Sequence, residues 1–559
     1  MRVKEVPLDE LFKGRNFFVV PPFQRRYAWK EENFKMLWED ISAVAEGDRA
    51  RHFMGTVIFE PSEDKRSVII DGQQRLTTFF VILKVLEKLS EKNGLKLSRT
   101  IRSKTMYKRE ARLCPSLPDR GAFAYLVESP DSLKKGREHR GFKVCYEFFY
   151  EAISNYCETS KGRFNKNLEG IISIVLNDLI FVELVLASHD DVHSIFETIN
   201  YAGVPLSSSD LARNFVLGLA KKSDKQQELN ETYWRPLEFR LEENISGNSK
   251  KARKAELQKV LPELIRSFLV VEKRKYISAS DAFREFRSFF KKGDLEVNLK
   301  KFVECGEIFS RFLNPEIEPS KKLSERLQSF VDLKMTTHYP VLIVLYRMHK
   351  ADQLSVSQMK LCMQYVESFV IRRAFKSKVS RDLNQVFARI ARDLAGFSET
   401  KGIDKQLKKL LIAAGWPSDD DFKSNFISSS IYTAARQIAR YTLISLEQKN
   451  SAAHKEQQFD KSIQIEHVFP QQAKTPDWDE KDIPSLKKNL HVIGNLTLTG
   501  YNPKLSNFGF SDKLVDYKKS QYWLTKQSIA KRRQWTAQEI EKRSIMLVGH
   551  ALKLWPGPS

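Results

Sequence analysis

Ile465-Glu466-His467-Val468-Phe469-Pro470 begins a series continued by Gly494-Asn495-Leu496-Thr497-Leu498 and then Asn502-Pro503-Lys504. These side chains suggest a division of labour. A neutral imidazole at His467 suits a general base that takes a proton from water. An oxygen ligand for a divalent ion and an amide that holds the histidine's loop are the remaining parts, and Asn502 and Asn495 are candidates for them. Adjacent residues on a regular strand face opposite ways, so Glu466 reaches the same ion only if the chain turns there, and Pro470 favours a turn. The apolar alternation from His491 to Leu498 reads as a strand. A solitary His-x-x-Pro is ordinary hairpin chemistry and asparagines are ordinary turn formers, but the ordered set of three elements is not.

That order resembles the HNH, or His-Me finger, superfamily: an acidic residue before His-x-x-Pro, then Asn-Leu, then Asn-x-x-Lys running from a hairpin into a helix. The resemblance implies phosphodiester cleavage with Mg2+ or Mn2+, His467 and Asn495 as catalytic positions, and Glu466 and Asn502 as metal ligands. Glu466 stands where the superfamily has aspartate. Lys504 falls one place early, which removes it from the catalytic set.

Composition points to the partner. Lys plus Arg number 93 against 70 Asp plus Glu, a net charge of +23. Cations that neutralise phosphates release condensed counterions, so a polyanion, nucleic acid above all, is the expected partner. Arg372, Arg373, Lys504 and Lys513 are the candidate DNA contacts. The five cysteines are scattered without zinc-knuckle spacing, the first residues carry no signal-peptide run, and the apolar stretch from Ile171 to Ala187 is broken by Asn177, Asp178 and Glu183. A soluble cytoplasmic protein with no membrane span is expected.

A second constellation lies near the start. Gln24-Arg25-Arg26-Tyr27-Ala28-Trp29 interleaves cations and aromatics, and Ile69-Ile70-Asp71-Gly72-Gln73-Gln74-Arg75-Leu76-Thr77-Thr78 follows it. Gly55 to Glu60 and Ser67 to Ile70 read as a hairpin, and Phe79, Phe80, Ile82, Leu83, Leu86 and Leu89 as one buried face of a helix. Strand, polar turn and helix in that order aim backbone N–H groups at an anion. Gln24, Arg25, Arg26, Asp71, Gly72, Gln73, Gln74, Arg75 and Thr77 are therefore candidates for a phosphate-binding surface of nucleic-acid or nucleotide type, where Asp71 could hold a magnesium ion or a water. No Gly-Lys dipeptide occurs, so this is no P-loop.

Gln-Arg-x-Tyr-x-Trp, Ile-Asp-Gly-Gln-Gln-Arg-Leu-Thr-Thr, the stretch from Ile195 to Asn214 and the Ile-Glu-His-x-x-Pro and Gly-Asn-Leu-Thr-Leu elements together resemble the GmrSD-type family. In that family a ParB/sulfiredoxin-like NTPase domain is joined to an HNH-like domain, as in type IV restriction enzymes and SspE-like anti-phage proteins. The resemblance implies a nucleotide-regulated endonuclease that cleaves foreign, modified double-stranded DNA, with a nucleoside triphosphate bound by the amino-terminal constellation and Asp71 and Arg75 as its catalytic pair; a nucleotide-gated DNA-binding switch without cleavage is the alternative. Phe23 replaces a common tyrosine and Arg213 a common lysine.

The expected fold class is α+β and multidomain. A ParB/sulfiredoxin-like α/β domain spans 1–220, a helical connector 221–440, and a ββα-metal, HNH-like finger embedded in helices 441–559. The polar run Glu447 to Gln458 reads as an exposed loop, and the tail from Lys531 to Leu552 as a helix that packs on the finger and adds phosphate contacts. One histidine site per chain means that a double-strand break takes a homodimer or two successive nicks.

Overall fold

The computed structural model describes all residues except 1, 15, 22–23, 25, 62–65, 117–118, 129–139, 159–162, 187–207, 221–222, 248, 377–381, 398, 400–401, 452–462, 474–476, 501–506 and 559. The described residues divide into two compact units, Met1–Arg235 with Phe290–Glu296, and Pro236–Phe289 with Val297–Ser559.

The first unit is built on a mixed six-stranded sheet. Its order is Arg2–Pro7, Leu179–Val185, His52–Pro61, Ser67–Asp71, Phe18–Val19 and Leu113–Cys114. His52–Pro61 and Ser67–Asp71 form the antiparallel pair that the sequence suggested. The helix Gln73–Lys92 follows directly. It was expected to bury one face, yet Val81, Lys84, Val85 and Glu87 are buried as well. The sheet covers one side, with Phe79 edge-on to Phe181, and the helices Ser98–Thr105 and Arg140–Glu158 cover others. A helix enclosed on several sides reads apolar nearly all round. Lys84 is tolerated there because it bonds Glu87 at 2.8 Å. The Ile171 to Ala187 stretch is divided between a helix end and the strand Leu179–Val185. Among the described residues no helix is long and apolar enough to cross a membrane.

The second unit is mostly helical, with one two-stranded sheet near its end, Gln464–His467 against Leu496–Thr499. The long helices Lys250–Lys273, Tyr339–Lys350 and Val356–Lys376 bury apolar faces that include Leu261, Leu264, Phe268, Val341, Leu345, Val366 and Phe369. The polar run after Glu447 departs from expectation. Its first residues complete the helix Arg436–Asn450, and Glu447 is fully buried, accepting the N–H groups of Trp523 and Leu524 at 2.7 and 2.9 Å. A carboxylate at the start of the short helix Trp523–Lys526 supplies the acceptor that its first turn lacks. The remainder of that run lies outside the described residues.

His338, just before Tyr339–Lys350, is fully buried, and neither ring nitrogen has a hydrogen-bond partner among the described residues. Phe330 packs on the ring with centroids 4.3 Å apart. Burial pushes its pKa down to about 3. The native ring stays neutral while the unfolded chain takes up a proton below about pH 6.5, so this stabilisation is complete above that pH and declines as the pH falls toward the folded value. Between pH 7 and pH 5, urea unfolding should show the wild type losing about 2 kcal/mol more than His338→Leu. Equal losses in both proteins would show that His338 is not held neutral.

Candidate active site

The register of the short sheet pairs Leu496 with His467 and Thr497 with Glu466. Only Leu496–Thr499 of the stretch expected as a strand is paired; Ile493–Asn495 forms a 3-10 turn. The turn has two physical causes. At Gly494 an added Cβ would sit 2.2 Å from Ser544 Oγ and 2.4 Å from Ile540 O, so only glycine lets the helix Ala537–Leu554 approach this closely. Asn495 is fully buried and turns its carboxamide toward the chain beyond His467. Its Oδ1 accepts from Phe469 N at 2.9 Å and Trp535 Nε1 at 3.0 Å, and its Nδ2 donates to Phe469 O at 3.0 Å and Leu490 O at 2.9 Å. Asn495 is thus a positioning residue that brackets the turn two residues after the histidine. Arg543, also buried, donates to the carbonyls of Gly494 and Leu496, each at 2.7 Å, and closes the turn from the other side.

His467 is buried at the end of its strand. Its Nε2 lies 3.2 Å from His491 Nδ1, and Gln471 Nε2 lies 3.5 Å from its Nδ1. An amide nitrogen can only donate, which leaves the lone pair on Nδ1 and places the proton on Nε2, where it is donated to His491. Tyr432 meets the His467 ring edge-on at 4.5 Å and stacks on His491 at 5.6 Å with the planes 9° apart. Burial, then the charges of His491, Lys513 and Arg436, bring the pKa of His467 down to about 3, so the ring is neutral at physiological pH. Glu466, the residue before it, binds Lys513 Nζ through Oε1 at 2.6 Å; Lys513 also donates to His467 O at 2.9 Å. Burial raises the Glu466 carboxyl and lowers the Lys513 ammonium, each shift opposed by the other's charge.

A cavity of about 260 Å³ opens here, lined by Tyr432, Arg436, Glu466, His467, Gln471 and Asn507 among others. Among the described residues no group of three or more His, Cys, Asp or Glu side chains converges to hold a metal. Glu466 and Asn507 are oxygen donors suited to a hard cation that keeps several waters and takes one or two protein ligands.

In the first unit, the two amino-terminal motifs are stitched together. Gln24 Nε2 donates to Ile69 O at 2.7 Å, Gln74 Oε1 accepts from Ala28 N at 2.7 Å, and Tyr27 Oη lies 2.7 Å from Thr78 Oγ1. Gly72 begins the helix at φ +90°, with no side-chain cap. Gln73 and Thr77 are buried in the first turns, whereas Arg26 is exposed. Arg75 is turned away from an anion role: it donates to Met54 O and Thr56 O, each at 2.7 Å, and stands 3.5 Å from Asp71. It fastens the irregular middle of the strand His52–Pro61.

Residues 8–217 match the N-terminal domain of the GmrSD restriction endonuclease, and residues 416–549 the C-terminal domain of the GmrSD restriction endonucleases. No curated protein matches the chain. The two matches define a restriction endonuclease, a nuclease whose substrate is DNA. Within that class, the chain belongs to the GmrSD restriction endonuclease family.

Several expected contacts are corrected. Arg372 is fully buried, bonding Trp555 O, Pro417 O and Asp419, and so cannot reach DNA. Arg373 is engaged by Ala414 O and Asp382. Lys513 is fully buried against Glu466. In the tail, Arg532 pairs with Glu539. Arg25, Asn502, Lys504 and the stretch from Ile195 to Ser207 lie outside the described residues, while Arg213 and Asn214 sit on the helix Ser208–Gly218. His491, Tyr432, Arg436 and Asn507 were not singled out as site residues. A second histidine three residues before the Gly-Asn-Leu element was the one available signal. Lys513→Met should lower the stability of this unit by about 3–5 kcal/mol by leaving a buried carboxylate unpaired, and adding Glu466→Gln should restore much of the loss. Unchanged stability with weakened DNA binding would return Lys513 to the phosphate-contacting set.

Proposed function

We propose that the chain is a nucleotide-regulated, metal-dependent endonuclease of HNH type that cleaves modified DNA in anti-phage defence. The observation that carries this reading is His467, neutral, with its Nδ1 lone pair free of a proton, at a cavity that also holds a carboxylate and a carboxamide. Glu466 and Asn507, with Asn502 as the other amide candidate, would hold Mg2+ or Mn2+. When bound, such an ion polarises the phosphate and stabilises the leaving oxygen. His467 Nδ1 takes the proton of the attacking water as the new P–O bond forms, and the departing O3′ is reprotonated from solvent. Asn495 holds the histidine's loop, and His491 fixes the tautomer of its ring.

For the first unit the reading is a nucleoside triphosphate at the uncapped start of the helix Gln73–Lys92. It is supported by the exposed Arg26 and by Gln24 Oε1, a buried acceptor without a partner among the described residues. An N–H-bearing base or ribose hydroxyl would satisfy that acceptor.

Purified protein should cut phage DNA that carries base or backbone modification, given Mg2+ or Mn2+, and should leave unmodified DNA intact. His467→Ala should abolish cutting while nucleotide turnover and thermal unfolding stay as in the wild type; undiminished cutting by that variant refutes the assignment. Arg26→Ala, a change on the surface, should lower nucleotide turnover by about 10-fold or more through loss of a charge-assisted phosphate bond. Turnover equal to the wild type would remove the nucleotide from this turn.

A further inference from the structure

The cations around His467 are unequal. Lys513 is neutralised by Glu466, and Arg543 is spent on backbone carbonyls. Arg436 lines the cavity, is exposed, and makes no ion pair with a carboxylate among the described residues. Its guanidinium lies 5.0 Å over the Tyr432 ring. The opposite contacts of Tyr432 are with the two histidines, and its backbone N–H donates to His491 O at 3.2 Å, so the ring that supports Arg436 is tied to the ring that orients His467. Arg436 is also the first residue of Arg436–Asn450, whose preceding residue, Ala435, offers no side-chain cap; the dipole of that helix adds potential of the same sign.

We propose that Arg436 is a catalytic residue that grips the non-bridging oxygens of the scissile phosphate in the His467 cavity. This rests on the endonuclease reading above. Arg436 thus presents to the cavity beside His467 a guanidinium without a carboxylate partner among the described residues, complementary to one phosphodiester. A guanidinium offers two parallel N–H donors to a phosphate, and the aromatic face beneath it holds that fork in place before substrate arrives. During hydrolysis the water oxygen bonds to phosphorus, its proton passes to His467 Nδ1, and the P–O3′ bond breaks. Arg436 remains protonated throughout and stabilises the extra negative charge on the equatorial oxygens. Its guanidinium is fixed before the reaction, so its effect falls on the transition state more than on DNA binding.

The test compares the full-length wild type, Arg436→Ala, Arg436→Lys and His467→Ala on one cleavable DNA with Mg2+. Single-turnover cleavage rates, DNA dissociation constants and thermal unfolding are measured for each. Arg436→Ala should slow cleavage on the order of 10²-fold, weaken DNA binding only a few-fold, and melt like the wild type. Arg436→Lys should recover part of the rate, because charge is kept and the fork is lost. Cleavage by Arg436→Ala at the wild-type rate, with His467→Ala inactive, overturns the role of Arg436 and leaves the nuclease intact. A rate loss matched by an equal loss of binding also overturns it, making Arg436 a general phosphate contact. No cutting of any DNA by the wild type removes both readings together.

Discussion

The carboxamide of Asn495 is the constraint on which the carboxyl-terminal site depends. Its oxygen accepts twice and its nitrogen donates twice, and three of the four partners are backbone groups that no other element reaches in the same geometry. Aspartate would lose both donors and leucine all four bonds, and each buried group left without a partner costs about 1–3 kcal/mol. Because the amide is consumed internally, it acts on the chemistry only through the backbone of Phe469 and hence through His467. The indole of Trp535 shares its oxygen, so the segment after Lys531 is part of the scaffold that sets the histidine.

A net charge of +23 is a poor guide to which cations meet DNA. Arg372 and Arg543 are among the largest fully buried side chains, and most of their donors end on carbonyl oxygens, with Asp419 and the Ser528 hydroxyl taking one bond each. Lys513 is buried as well, held by one carboxylate and one carbonyl. Desolvating such groups is tolerable only with near-complete hydrogen bonding, which arginine's five donors allow at places where several chain segments end. These cations act as internal joints, so the field that attracts a polyanion comes from the exposed remainder.

Legibility in the sequence followed the range of the interactions involved. The hairpin before Gln73, the helix that starts there and the strand from Leu496 came from local periodicity and turn chemistry. The two amino-terminal motifs were read as one constellation, but without foreseeing that the Gln24 amide would bond the Ile69 carbonyl. What escaped was long-range. Nothing local to Lys513 shows that its nearest anion lies 47 residues earlier in the chain, and nothing in Arg372 shows that Trp555 closes over it. Arg-Arg and lone lysines look alike whether they face solvent or carbonyls. The strand expected from His491 failed for a related reason: alternation continues through Val492 and Ile493, but Gly494 and Asn495 obey contacts from the helix Ala537–Leu554 and the Phe469 turn.

The amino-terminal turn shows how the same residue types divide between scaffold and site. Gln74 spends its carbonyl oxygen on Ala28 and its amide on Arg26 O, and Arg75 spends two donors on the strand His52–Pro61, so the dense polar turn is largely a fastening. Gln24 differs, since its amide nitrogen is satisfied by Ile69 and Ile70 while its oxygen is buried without a donor among the described residues. A buried acceptor left open beside an uncapped helix start carries a desolvation penalty that the fold does not recover by itself. A ligand that brought a hydrogen-bond donor to Gln24 and an anion to the helix would recover that penalty, and the nucleotide proposed for this turn would bring both in one molecule.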